Sequence, residues 1–190
     1  MAKRFFTADF HLCSGVLCDP EIMKNAVRPF SSSEEMNAAY LTSCNRLAGS
    51  DDVIIHVGDL FQRGKDQGQE GSRSGPSPFL RKIKATFVNV RGNHDDANRV
   101  KSVCDSMRTR LGKKFVDVSV GHYPTTSPEA EGSFRPGDIH LCGHVHGKWK
   151  HMIDYQNSCL NVNVGVDVWG HQIVSEDELI DYIAKVLAKD

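Results

Sequence analysis

Five short segments place aspartate, asparagine or histidine just past an apolar run: Asp9-Phe10-His11, Gly58-Asp59, Gly92-Asn93-His94-Asp95, Gly121-His122 and Gly143-His144-Val145-His146. Carboxylate, amide and imidazole donors without thiolates suit borderline divalent metals such as manganese, iron, zinc or nickel. Their number suits two ions better than one, and a carboxylate such as Asp59 can bridge a pair held about 3.5–4 Å apart. Each segment alone has a plainer reading. Gly-Asn is turn vocabulary, an aspartate past a strand is an ordinary cap, and a lone Gly-His marks a turn more often than a ligand. Gly143-His144-Val145-His146 is the strongest by itself, because two imidazoles on one side of an extended segment form a natural chelate.

Strands must deliver these residues. Arg4-Phe5-Phe6-Thr7-Ala8 is a β-prone run ending at Asp9, and Val53-Ile54-Ile55-His56-Val57 reads as a central strand ending at Gly58-Asp59. Phe87-Val88-Asn89-Val90 leads into Gly92-Asn93, Phe115 to Val120 alternates into Gly121-His122, and Ile139 to Cys142 leads into Gly143. Two further runs, His151-Met152-Ile153 and Leu160 to Val164, form a hairpin around Tyr155-Gln156-Asn157-Ser158.

Helices come from capping signals. Ser32 with Glu35 is a capping box opening a helix with Met36, Ala39, Tyr40 and Leu47 on one face, closed at Gly49, and Ser175 with Glu178 opens a C-terminal helix burying Leu179, Ile180, Ile183, Val186 and Leu187. Val100, Val103, Cys104, Met107 and Leu111 predict a third helix closed by Gly112, and Ser77-Pro78 a short one running through Lys84. Residues 12–30 are loop with one helical turn near 22–27. Residues 62–78 have no apolar period, and from Arg63 to Lys84 six basic residues face two acidic ones, Asp66 and Glu70. That stretch is a solvated linker or a phosphate-gathering lid, flexible and Gly/Ser-rich at about 64–78.

A chain of 190 residues with net charge −1 suits one domain spanning 1–190, and it lacks the basic excess of a dedicated nucleic-acid binder. Asp9 and His11 interrupt the first apolar run before it reaches signal-peptide length, and no stretch is long enough for a membrane span. The six cysteines have no Cys-x-x-Cys spacing and read as reduced thiols, so the expected location is cytoplasmic. Histidines inside strands, His56 and His140, are expected in the core or behind the ligands, His151 and His171 at the surface, and Trp149 and Trp169 in packing roles.

The order Asp-x-His, Gly-Asp, Gly-Asn-His-Asp, Gly-His and Gly-His-x-His resembles the calcineurin-like metallophosphoesterase superfamily. Val27-Arg28-Pro29-Phe30, Ser33-Glu34-Glu35-Met36-Asn37 and Asn163-Val164-Gly165-Val166-Asp167-Val168-Trp169 are similar to a compact bacterial and phage branch of it. The resemblance implies an α/β fold, a four-layer α/β/β/α sandwich of mixed sheets. It assigns Asp9, His11, Asp59 and His146 to one divalent ion and Asp59, Asn93, His122 and His144 to the other, with manganese first and iron, zinc or nickel as alternatives. The implied reaction is hydrolysis of a phosphate ester by metal-activated hydroxide. The resemblance also implies that Asn93 touches substrate and that His94 protonates the leaving oxygen, and Asp95 is expected to orient His94 by accepting its other N–H.

Related protein Ser/Thr phosphatases also carry arginine at the positions of Arg63 and Arg91, so Arg63 is expected to contact phosphate, while Arg91 contacts it or is structural. Gln62 stands where those phosphatases have an acidic residue, which argues against a close identity with them. The expected substrate is a phosphodiester, such as a cyclic nucleotide or a nucleic-acid end, in preference to a phosphomonoester such as a nucleotide, with no obligate protein partner. The competing reading is a non-catalytic metal-binding scaffold for protein interactions; the complete ligand set favours the enzyme.

Overall fold

The computed structural model describes residues 2–23, 28–62, 75–112 and 116–188. In chain order the elements are β1 (Arg4–Thr7), α1 (Pro20–Met23), α2 (Ser33–Leu47), β2 (Val53–Val57), α3 (Ser77–Leu80), β3 (Thr86–Val90), β4 (Ser106–Leu111), β5 (Val116–Gly121), β6 (Ile139–Cys142), β7 (His151–Asp154), β8 (Cys159–Asn163), β9 (Val174–Ser175) and α4 (Glu176–Leu187). They build two mixed sheets, ordered β3-β2-β1-β9 and β4-β5-β6-β8-β7. Strands β1, β2 and β3 run parallel, as do β5, β6 and β8, so each sheet gathers three carboxyl ends on one rim.

Alternation along the strands decides what faces what. Phe6, Ile55, Val57 and Val90 of the first sheet and Val118, Val120, Leu141 and Val162 of the second share one core with Leu179, Ile183 and Val186 of α4. The opposite face of the first sheet offers Phe5, Ile54 and Phe87, which pack with Met36, Tyr40 and Cys44 of α2. Burying side chains of this size is worth about 1.5–3 kcal/mol each. On the opposite face of the second sheet the row is polar, Ser119, His140 and Asn161, and it is covered by the connection 123–138. His140 bonds Ser119 Oγ through Nδ1 and the Tyr123 carbonyl through Nε2, while Asn161 Oδ1 accepts from Thr125 N.

The capping signals hold with one variation. Ser175 and Glu178 form the full reciprocal box at α4. At α2, Ser32 Oγ accepts from Glu35 N, but the Glu35 carboxylate reaches one residue further back, to Ser31 N and Oγ. Helix α3 ends at Leu80, short of Lys84. Residues 24–27 and 63–74 lie outside the described residues, so most of the segment expected to be a lid or linker does too. All six cysteines are free thiols.

The helix expected over 100–111 is not present; its second half is strand β4, paired antiparallel with β5. Met107 and Leu111 are four apart, a spacing that lands on one face of a strand as readily as of a helix. What decides is the alternation of Met107, Thr109 and Leu111 with Arg108 and Arg110, whose guanidinium groups pair with Asp138 and Asp117. Strand β9, two residues long, has no periodicity to announce it. His171, expected at the surface, is half-buried, with its ring edge-on to Phe30.

Candidate metal centre

The two rims of strand ends face one another, and the ligand candidates sit where the chain turns off them. Five of these residues adopt the left-handed conformation, Asp9 (φ 60°), His11 (46°), Asp59 (60°), His144 (69°) and His146 (50°). Each such non-glycine residue is unfavourable by about 1–3 kcal/mol, and such strain concentrates at functional sites. The chain follows this path because its neighbours are fixed across the sheets: Asp9 N donates to Gly58 O, His11 N to Asp59 O and Gly143 N to His122 O. Close approach also requires glycine. A Cβ on Gly143 would stand 2.6 Å from Ala8 Cβ and 2.8 Å from Asp9 Oδ2, and one on Gly92 would overlap the amide nitrogen and Oδ1 of Asp59.

Two groups of donors result. Asp9, His11 and His146 bring one ligand atom each to within 4.8 Å of one another, and so do Asp9, Asp59 and His122. Asp59 Oδ2 lies between them, 3.5 Å from His11 Nε2 and 3.3 Å from His122 Nε2. Asn93 Oδ1 completes the second group, 3.0 Å from both His122 Nε2 and His144 Nδ1. Asp9 is fully buried, and both its oxygens accept from His144 N at 3.1 Å. Asp9, His11, Asp59, His122 and His146 thus form two overlapping donor groups that share Asp9, and His144 joins them through Asn93.

The donors fit divalent cations by a direct test. Both ring nitrogens of His11 are buried with no hydrogen-bond partner among the described residues. An orphaned buried imidazole is unfavourable unless something else takes its lone pair. The other histidines are already aimed, since His122 Nδ1 lies 2.9 Å from Val57 O and His146 Nδ1 lies 3.0 Å from Asp167 Oδ2. Each bond ties up one nitrogen and leaves the other for the centre, the arrangement that metal-ligating histidines show.

Charge follows the same geometry. Burial would raise the Asp59 carboxyl, but the neighbouring His122 and His11 and the His94 backbone N–H hold it well below the usual carboxylate range. Burial lowers His11 far below its ordinary value. Burial would also lower His122, yet the Asp59 carboxylate and the charge of Asp9 outweigh it and push it up to about 9. If His122 holds a cation, that cation must displace a proton from it at neutral pH, and its affinity should rise with pH until about 9. Metal titration calorimetry at pH 7.5 in buffers of different ionisation enthalpy should show about one proton released as this position fills; no release would contradict the assignment. In the metal-free chain the sign is opposite. The His122 contribution to stability is complete below about 6.5 and is lost as pH rises through about 9.

His94 stands at the mouth, its side chain 41% exposed, its Nε2 3.9 Å from Asp59 Oδ2 and its ring edge-on to His11. Asp95 does not align it, contrary to the reading of adjacent residues as partners. The Asp95 carboxylate is fully buried and turned inward, accepting from Gly92 N (2.8 Å), Leu60 N (3.0 Å), Asp59 N (3.3 Å) and Asn89 Nδ2 (3.1 Å). Its work is to clamp the Asp59 turn to the Asn93 turn. Behind it, Asn89 Oδ1 meets His56 Nδ1 at 2.8 Å, which places His56 behind the ligands as expected. Arg63 lies outside the described residues. Arg91 pairs with Asp105 (3.1 Å) and Asp96 (3.5 Å) at the rim of a cavity of about 570 Å³ that opens beside Asn93 and His122, with Tyr123 on its wall.

Two residues that no motif marks as functional, Arg28 and Asp167, also belong to the site. Arg28 is 2% exposed and paired with Asp167, which in turn holds His146. The signal available was a buried-looking Val-Arg-Pro-Phe stretch, which needs an acid somewhere, though nothing local says which.

Comparison with known proteins finds relatives of this chain in sequence and in structure. An uncharacterised protein of Methanocaldococcus jannaschii is 27% identical over 191 residues, covering 97% of this chain and 93% of the relative. A crystal structure of a protein of unknown function from Aquifex aeolicus superposes with a TM-score of 0.66 at 21% identity, covering 96% of this chain and 100% of that one. A nuclease from Pseudomonas putida superposes with a TM-score of 0.44 at 17% identity, over 75% of this chain and 60% of its own. The family profile for calcineurin-like phosphoesterases matches residues 3–119, the span that carries Asp9, His11, Asp59 and Asn93. The chain belongs to the calcineurin-like phosphoesterase family, whose members are typically metal-dependent phosphoesterases.

Proposed function

We infer that the protein hydrolyses phosphodiesters with two divalent cations. The observation that carries this reading is the Asp59 carboxylate oxygen set between His11 Nε2 and His122 Nε2, at 3.5 and 3.3 Å. Asp9, His11, Asp59 and His146 would hold one ion, and Asp59, Asn93, His122 and His144 the other. When bound, such ions neutralise phosphate oxygens and acidify a water for in-line attack on phosphorus. Manganese matches this mixture of carboxylate, amide and imidazole, and iron, zinc or nickel can be held by the same donors.

The chain's own groups supply position and protons. Asp95 fixes the spacing between Asp59 and Asn93, and Asn93 presents its amide to the substrate phosphate. His94, exposed at the mouth, delivers a proton from its ring to the departing oxygen. Arg63 adds a bidentate contact to the phosphate. The cavity of about 570 Å³ beside Asn93 and His122 has room for the ester arm that a diester retains, with Tyr123 available to pack on it. A cyclic nucleotide or a nucleic-acid end met in the cytoplasm fits that description. No helix among the described residues is long and apolar enough to cross a membrane.

Turnover of aryl phosphodiesters and phosphomonoesters by manganese-loaded protein tests the reading, with diesters expected to have the higher kcat/KM. Protein with both positions filled that turned over neither class would overturn it. His94→Ala should keep both ions and lower kcat by about 10²–10⁴-fold for alkyl leaving groups, and much less for nitrophenol, which needs no proton. Loss of an ion in that variant, read by metal analysis, would make His94 a ligand instead.

A further inference from the structure

The largest fully buried side chain among the described residues is a charged one. Arg28 is 2% exposed, and its guanidinium donates from Nε and Nη2 to the two oxygens of Asp167 at 2.8 and 2.9 Å. Nη2 also donates to Asp9 O at 2.6 Å and Nη1 to Phe10 O at 3.0 Å. Asp167 Oδ2 then meets His146 Nδ1 at 3.0 Å. The chain of contacts leaves one ligand of the first donor group, Asp9, through its backbone and returns to the same group at His146.

A buried ion pair is a poor way to stabilise a fold, because desolvation offsets most of the attraction and an apolar replacement often does as well. What this pair achieves instead is directional. Asp167, ionised beside the guanidinium, can only accept, so His146 must donate from Nδ1 and keep its lone pair on Nε2. Arg28 meanwhile pins the carbonyls of Asp9 and Phe10, the turn that aims both Asp9 and His11. None of its bonds runs to Asp59, Asn93, His122 or His144, and His122 is aimed by Val57 O instead.

We propose that Arg28 and Asp167 are a positioning pair for the first metal position, fixing the tautomer of His146 and the turn of Asp9 and so setting the affinity of that position independently of the other. The proposal rests on the two-cation reading of the site. The pair touches neither substrate nor reacting atoms and works through the ligands.

Manganese binding by the full chain gives the test. Asn93→Ala, which disables the second position, should leave one binding step, and adding Asp167→Asn should weaken that step by about 10–100-fold, the usual effect of losing a ligand's hydrogen-bonded support. Asp167→Asn alone should weaken one step and leave the other unchanged. Arg28→Lys, which keeps the charge but loses the fork, should act in the same direction. Equal weakening of both steps, or a fall in melting temperature with no change in either, would overturn the proposal.

Imidazole nitrogen chemical shifts of the wild-type protein provide a readout that needs no variant to fold. His146 should be held in the Nδ1–H form, with Nε2 unprotonated once metal is bound, and a mixture of tautomers would also overturn the proposal. If the wild-type chain bound no divalent cation, the two-cation reading itself would fail. If it bound two and Asp167→Asn bound them as tightly, only the positioning role would.

Discussion

Asp59→Asn should lose both ions together and lower kcat/KM by about 10²–10³-fold or more, the scale on which single charged or hydrogen-bonding groups act in catalytic centres. The reason is geometric: Asp59 Oδ2 is near His11 on one side and His122 on the other, so one neutralised carboxylate weakens both positions. The substitution preserves volume and leaves an oxygen to accept the His94 N–H, which Asp59 Oδ1 does at 2.9 Å. Folding should therefore survive, and metal analysis on folded protein reads the effect. Retention of one ion at wild-type affinity would show that the carboxylate serves a single position.

Asp95→Ala should be the most destabilising substitution near the site, although it removes no ligand. Alanine would strand the amide N–H groups of Gly92, Leu60 and Asp59 and the Asn89 side-chain amide in a place without solvent. Leaving a buried donor unpaired is unfavourable by about 1–3 kcal/mol, and partial relaxation of the turns brings the total to about 3–5 kcal/mol. For a chain of this size that lowers the melting temperature by about 6–20 °C. Metal affinity should fall as well, since the Asp59 and Asn93 turns lose their shared anchor. A variant with wild-type melting temperature and reduced kcat alone would restore Asp95 to the role of orienting His94.

That contrast shows what sequence can carry. The candidate ligands are legible because each follows an apolar strand, and parallel strands must release their carboxyl ends on one rim, so Asp9, Asp59, Asn93, His122 and His144 converge once the strands are placed. The direction in which a side chain turns was not legible. Asp95 neighbours His94 in sequence, yet its carboxylate folds back on Gly92, three residues upstream. Nor does local pattern report partners far apart. Arg28 and Asp167 are 139 positions apart, and only the packed sheets bring them together. At residues 106–111 a spacing of four serves either a helix or a strand, and pairing with β5 settles the choice. The left-handed turns at the ligands are invisible for a related reason: aspartate and histidine tolerate that conformation without requiring it.

The number of manganese ions held per chain tests the two-cation centre most directly, measured by metal analysis after equilibrium dialysis of wild-type protein beside Asn93→Ala. Two ions in the wild type and one in the variant are predicted; a wild-type chain that holds a single ion, or none, would contradict the centre described here.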